Sequence, residues 1–306
     1  MKILITGSTG MVGRNIIDAF RVTSHDILSP NHQTVDLADS NATLRYLDKT
    51  KPDFIIHCAG KVGGIQANID NPLTFLVDNL DIGKNVILSA YKVGIPNLLN
   101  LGSSCMYPRD AQNPLKENQI LTGQLEPTNE GYALAKIVSQ RLCSYITNEN
   151  QAYKYKTIIP CNLYGRYDKF DLHCAHLIPA AIRKLHEAKK NKAHSVAIWG
   201  DGKARREFLY AGDLANFILQ KLSYFSEWPD VMNIGAEIDH TILEYYKKAK
   251  SIIGYEGIFE YDLQKPVGMK QKLVDAAEQK RLGWSPKISL EYGIEITYQH
   301  YLDTLG

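Results

Sequence analysis

The chain has 306 residues, long enough for one large domain or two tightly packed ones of ~100–200 residues each. Its 35 lysines and arginines against 33 aspartates and glutamates give a formal net charge of +2, and it is 44% hydrophobic and 22% charged, which excludes a disordered or collagenous chain. That mixed charge carries no concentrated basic stripe, so nucleic acid is not an expected partner, and the five cysteines, an odd set without a C-x-x-C pair, read as reduced thiols and not as a disulfide framework or metal site.

Met1 to Gly7 holds only a short apolar run, and no later stretch reaches ~18 uninterrupted apolar residues. No signal peptide and no membrane span are expected, and the cytoplasm is the expected location. Short apolar runs of the buried parallel type follow at Ile3–Thr6, Asp26–Ser29, Phe54–His57, Leu98–Gly102 and Thr157–Pro160. Between them lie helix-compatible stretches at Val12–Phe20, Ser40–Thr50, Pro72–Val93 and Asn129–Asn148, each long enough for a crossover. This rhythm predicts an α/β fold with a doubly wound parallel Rossmann sheet.

After about Leu163 the pattern coarsens. Leu177–Ala188 reads as helical, Ser195–Trp199 as extended, Leu214–Leu222 as helical, Met232–Ile234 as extended and Ile242–Ile253 as helical. The expected division is a dinucleotide-binding domain over 1–165, rejoined by about 207–236, and a smaller α/β substrate-binding lobe over 166–306 that caps the carboxyl edge of the sheet.

The first strand runs into Gly7-Ser8-Thr9-Gly10-Met11-Val12-Gly13, a G-x-x-G-x-x-G pattern that opens a helix. Glycines permit the tight turn and close backbone approach to a pyrophosphate, and the helix amino end offers free N–H groups. At the end of the second strand Ser29-Pro30-Asn31-His32 supplies no acid to bind a ribose 2′-hydroxyl. Arg14 either pairs with a 2′-phosphate or is a solvated helix residue; the first reading favours NADP(H). Asp36, following Val35, is expected at the adenine from the rim of the sheet.

Tyr132 and Lys136 lie four apart at the start of a helical stretch, which puts both side chains on one face. An ammonium there is expected to lower the pKa of the phenol toward a value useful for proton transfer. The strand Leu98–Leu101 ends in Gly102-Ser103-Ser104, placing a hydroxyl beside the same site. Alone, a Y-x-x-x-K is common; with the glycine loop and the strand-end serine it becomes specific.

On these motifs the chain resembles the extended short-chain dehydrogenase/reductase family over essentially its full length. Within it, Lys61-Val62-Gly63-Gly64-Ile65, Gly102-Ser103-Ser104-Cys105-Met106-Tyr107-Pro108, Glu126-Pro127-Thr128-Asn129-Glu130, Asn162-Leu163-Tyr164-Gly165 and His176-Leu177-Ile178-Pro179 are similar to the GDP-L-fucose synthase family. The resemblance implies NADPH-dependent reduction of the C4 ketone of a GDP-linked 4-keto-sugar, preceded by epimerisation at C3 and C5, in a homodimer paired through helices that include the Tyr132 helix. It implies Ser103, Tyr132 and Lys136 as the reductase set, and Cys105 and His176 as the epimerase base and acid, with His173 a rival for the acid. Together with the glycine loop, the expected cofactor contacts are Leu37, Leu101, Gly102, Ser103, Tyr132, Lys136, Pro160, Asn162, Leu163 and His176. For the substrate they are Ser104, Cys105, Asn162, Lys184, Trp199 and Arg206.

The chain departs from the family pattern at Gly131, where proline usually precedes the tyrosine, and at Val267, where an acid usually follows Lys-Pro. Two rivals remain open. One is a C4 reductase alone, acting on a GDP-4-keto-heptose after a separate epimerase; the other, from a different class, is an NADP(H)-sensing module without turnover.

Overall fold

The computed structural model describes residues 1–305. The first half forms β1 (Lys2–Thr6), α1 (Met11–Phe20), β2 (Asp26–Leu28), α2 (Ser40–Thr50), β3 (Phe54–His57), α3 (Ile65–Asp70), α4 (Pro72–Lys92), β4 (Asn97–Leu101), α5 (Glu130–Glu149) and β5 (Lys154–Pro160). The second half forms β6 (Asn162–Tyr164), α6 (Leu177–Lys190), β7 (Ser195–Trp199), β8 (Arg205–Tyr210), α7 (Ala211–Lys221) and β9 (Val231–Ile234). It ends with β10 (Asp239–Thr241), α8 (Ile242–Ile253), β11 (Ile258–Asp262), β12 (Gln271–Lys272), α9 (Ala277–Arg281) and α10 (Leu290–Asp303).

Six strands make one parallel sheet in the order β2-β1-β3-β4-β5-β9. Ile3, Ile5, Ile55, Leu98 and Ile158 have no exposed surface, as both-face burial of a parallel sheet requires. Helices α1 and α7 pack together on one side, and α2, α4 and α5 on the other, so the sheet is doubly wound. The strand order reverses between β1 and β3, which opens a crevice at their carboxyl ends, where open α/β sheets bind ligands. Local sequence sets the helix starts: the Asp39 carboxylate accepts from the Asn41 and Ala42 N–H groups to cap α2, and Pro72 opens α4.

The second half builds smaller sheets beyond that crevice. Strand β8 pairs with β10 antiparallel and with β6 and β12 parallel, and β7 pairs with β11. Ile182, Leu185, Tyr245, Tyr246, Ile294 and Tyr301 form the core between these strands and α6, α8 and α10. Met232–Ile234, expected extended, lies in β9 beside β5 and so belongs to the large sheet. Helix α7 begins at Ala211, three residues before the expected start, because β8 runs into it directly.

Candidate active site

The glycine loop is tighter than any side chain would allow. Gly7 adopts φ +68°, and a Cβ there would sit 2.8 Å from the Ala59 backbone; a Cβ on Gly13 would sit 2.2 Å from the Gly7 carbonyl oxygen. Gly10 begins α1 without a side-chain cap, leaving the amino-terminal N–H groups open to an anion. The Ser8 hydroxyl donates to the Pro30 carbonyl at 2.7 Å and ties the loop to the end of β2, while Thr9 stays exposed. This cradle fits a dinucleotide pyrophosphate.

From the loop a cleft of about 820 Å³ runs between the large sheet and the smaller ones. Ser103 sits where β4 ends; its hydroxyl accepts from the Cys105 N–H at 3.3 Å and is hydrogen-bonded to Tyr132. Lys136, one turn after Tyr132 on α5, donates to the Leu101 carbonyl at 2.9 Å with its ammonium 5.8 Å from the Tyr132 ring centre. Burial brings Lys136 down to about 8, opposed by nearby Cys58. The expected lowering of the Tyr132 pKa does not occur in this arrangement: burial first, then the neighbouring Cys105, push the phenol up, and the Ser103 hydrogen bond only partly offsets them. Tyr132 is thereby held in its protonated, donating form.

Cys105 follows in the turn after Ser103. Its sulfur accepts from the Asn129 amide at 3.2 Å and from the Lys272 ammonium at 3.8 Å. His176 begins α6 and lines the same cleft; burial brings its imidazole down to about 4, with Lys169 and Lys272 acting in the same direction. His173 also lines the cleft but is exposed. The roof is a loop pair: the Gly64 N–H donates to the Cys174 carbonyl at 3.0 Å, and a Cβ on Gly64 would meet the Ala175 carbonyl at 2.7 Å.

At the far end Trp199, on β7, carries two cations against its indole: Lys184 at 5.7 Å and Lys265 at 5.4 Å from the ring centre. Burial lowers Lys184, whose ammonium also donates to the Ala197 carbonyl at 3.2 Å. Arg206 donates to the Val267 carbonyl at 2.6 Å, so the backbone of Val267 holds this guanidinium. The Asn162 amide donates to the Glu207 carbonyl at 2.8 Å, locking β6 to β8.

A family model described as "NAD dependent epimerase/dehydratase family" matches residues 3–235. The chain belongs to that family. Across 303 residues it is 51% identical to a GDP-L-colitose synthase of Yersinia pseudotuberculosis, covering 99% of this chain and 98% of that one. Across 301 residues it is 47% identical to a GDP-L-fucose synthase of Azorhizobium caulinodans, covering 98% and 96%. Among solved structures, a GDP-6-OMe-4-keto-L-xylo-heptose reductase from C. jejuni superposes with a TM-score of 0.93 at 29% identity, covering 99% and 98% of the two chains. A GDP-mannoheptose C4 reductase from Campylobacter jejuni, solved with NADP bound, gives 0.88 at 28% identity, covering 98% of each.

In this epimerase/dehydratase family member the cleft gathers most of the residues singled out in the sequence. Met11, Val12, Leu101, Gly102, Ser103, Ser104, Cys105, Tyr132 and Lys136 line it from the large sheet. Pro160, at the end of β5, adds to that wall, and Asn162, Leu163, His176, Lys184, Trp199 and Arg206 line it from the rest of the chain. Gly7, Ser8, Thr9, Gly10 and Gly13 form the cradle outside the enclosed part. Arg14 is exposed on the first turn of α1, with its guanidinium 3.8 Å above the centre of the Tyr167 ring. Asp36 is exposed near His32, and the Leu37 carbonyl accepts from Asn85 at 3.1 Å. Sequence reasoning gave no role to Lys272, Lys265 or the amide of Asn129. Lys265 and Asn129 each carried a signal, in the Lys-Pro element before Val267 and in the motif leading into Tyr132, and Lys272 carried none.

Proposed function

We propose that the chain reduces the C4 ketone of a GDP-linked 4-keto-sugar with NADPH and first inverts C3 and C5 beside that ketone. The observation carrying this reading is that Cys105 and His176 line one cleft with Ser103, Tyr132 and Lys136. Relatives named for GDP-L-fucose and GDP-L-colitose synthesis at 47–51% identity support the sugar-nucleotide class. The absence of an acid at Ser29–His32 supports NADPH over NADH.

Ser103 and Tyr132 direct their hydroxyls at the C4 oxygen, where charge develops when a neighbouring proton leaves. Cys105 takes that proton and His176 returns one from the opposite face. His176 is neutral in the open cleft, and the anionic diphosphate favours its protonation on binding. For reduction, a nicotinamide dinucleotide held at the Gly7–Gly13 loop would supply the hydride that C4 takes up. Tyr132 gives its proton to the C4 oxygen, and Lys136 compensates the tyrosinate that remains. Trp199, Lys184, Lys265 and Arg206 receive the guanine and diphosphate through stacking and charge.

Two copies of the chain pair through α4 and α5. Their exposed Leu73, Val77, Leu134 and Val138 form an apolar surface that supports this reading, and sedimentation velocity tests it.

A second reading, C4 reduction of a GDP-4-keto-heptose without epimerisation, draws on the TM-score of 0.93 to a heptose reductase. The deciding experiment mixes the protein with GDP-4-keto-6-deoxy-mannose in D₂O, with and without NADPH, and follows the sugar by NMR. Deuterium at C3 and C5 with NADPH consumed supports the bifunctional enzyme; NADPH consumption without deuterium supports the reductase alone. No turnover with this sugar or with 4-keto-heptoses overturns both.

A further inference from the structure

The surroundings of the Cys105 sulfur are those of an anion. Lys272 is 7% exposed, and among the described residues its one side-chain hydrogen-bond partner is that sulfur. A buried ammonium with no anion beside it is costly, and a thiolate supplies one. Asn129, in the turn that enters α5, presents its amide N–H to the same sulfur at 3.2 Å, a contact that strengthens when the acceptor is a thiolate. Two other elements face this atom: Arg206 on β8 and Tyr132 on α5, with Glu126 bearing on Arg206. Cations and donors outnumber the acids around it.

We infer that Asn129 and Lys272 are positioning residues that hold Cys105 as a thiolate and thereby make it the base of the epimerase pair. The inference rests on the epimerase reading above. In the step they support, the C–H bond beside the ketone breaks, its proton passes to the Cys105 sulfur, and its electron pair forms the enolate double bond, leaving the negative charge on the C4 oxygen. Lys272 also bears on His176, so one ammonium biases both partners: it favours the anionic thiolate and disfavours a protonated imidazole until the substrate's own charge arrives.

Iodoacetamide alkylation of Cys105, followed by peptide mass spectrometry against pH on the full chain, reads the thiolate directly. The pH of half-maximal rate is measured in the wild type and compared with the variants. Lys272→Met and Asn129→Leu should each raise that midpoint by about one pH unit or more. Deuterium wash-in at C3 and C5 should fall about tenfold or more in both, while Lys272→Arg stays near wild type. The slow alkylation of buried Cys143 reports that each variant is folded. Midpoints unmoved or lowered in both variants overturn the assignment. If the midpoints move but the wild type shows no wash-in, the thiolate assignment is supported and the epimerase reading fails.

Discussion

Lys136 is tethered to the last residue of β4 by donating to the Leu101 carbonyl at 2.9 Å, so the cation that serves Tyr132 moves with the strand that carries Ser103. Buried there, it titrates at about 8, and above that pH the Tyr132 oxygen loses its compensating charge. The profile of kcat against pH should therefore fall on its alkaline side near pH 8. Lys136→Met should remove that limb and lower kcat by about 100-fold or more, and Tyr132→Phe should abolish reduction while NADPH still binds. Stopped-flow NADPH oxidation across pH 6–10 checks all three; a limb that survives in Lys136→Met assigns it to another group.

His176 is held at about 4 against an ordinary 6.5, and the buried His57, hydrogen-bonded to the Thr6 hydroxyl at 2.8 Å, at about 3. Between those folded values and 6.5 the unfolded chain binds more protons than the folded one. The contribution of these two imidazoles therefore rises with pH across that window and is lost as pH falls below about 6.5. Burial raises Asp168 and Glu207 to about 7, which acts in the opposite direction, so the difference between variants is what reads His176: the Tm of His176→Gln relative to the wild type should rise as pH falls from 7 to 4. Added GDP should move the His176 ring resonance to a higher titration midpoint by NMR; a midpoint indifferent to GDP would detach His176 from the diphosphate's field.

Gly131 stands where relatives of this sequence type commonly have proline, and the packing explains the exchange. A Cβ at Gly131 would lie 2.9 Å from the Pro72 carbonyl oxygen and 3.2 Å from the Leu76 Cβ, because the first turns of α4 and α5 are in close contact. Gly131→Pro should therefore destabilise the chain by about 1–3 kcal/mol through overpacking, despite the suitability of proline for a helix start. Urea denaturation measures it. An unchanged midpoint would mean that α4 yields at its first turn.

Much of the large sheet was legible because Ile3, Ile55, Leu98 and Ile158 sit in apolar runs that only a both-face-buried strand explains. Of the small sheets, only β7 was, at Ser195–Trp199. Strand β8 opens Arg205-Arg206-Glu207, which reads as surface, yet Glu207 is fully buried: its carboxylate accepts from the Val274 and Glu237 N–H groups at 2.9 and 2.8 Å. Those partners come from distant loops that no local pattern announces. The same holds within the site. Tyr132 and Lys136 were found by their spacing of four, whereas Lys272 lies 167 residues from Cys105 on a strand of two residues. The Tyr167 ring that stacks on Arg14 was equally invisible, since it is turned there by a left-handed backbone at φ +70° more than 150 residues away.

The position of β9 has a consequence for how such a chain is made and how it changes. Val231–Ile234 completes the large sheet beside β5 only after β6, α6, β7 and β8 have passed through the other side of the cleft and α7 has returned to pack on α1. During synthesis β5 waits with an open edge until residue 234 has emerged. A recombination event that exchanged everything after residue 165 would replace a strand of the cofactor sheet along with the sugar pocket. The two ends of the cleft are thus inherited together, and a new sugar preference is reached more readily by point changes along the cleft wall than by exchange of a cassette.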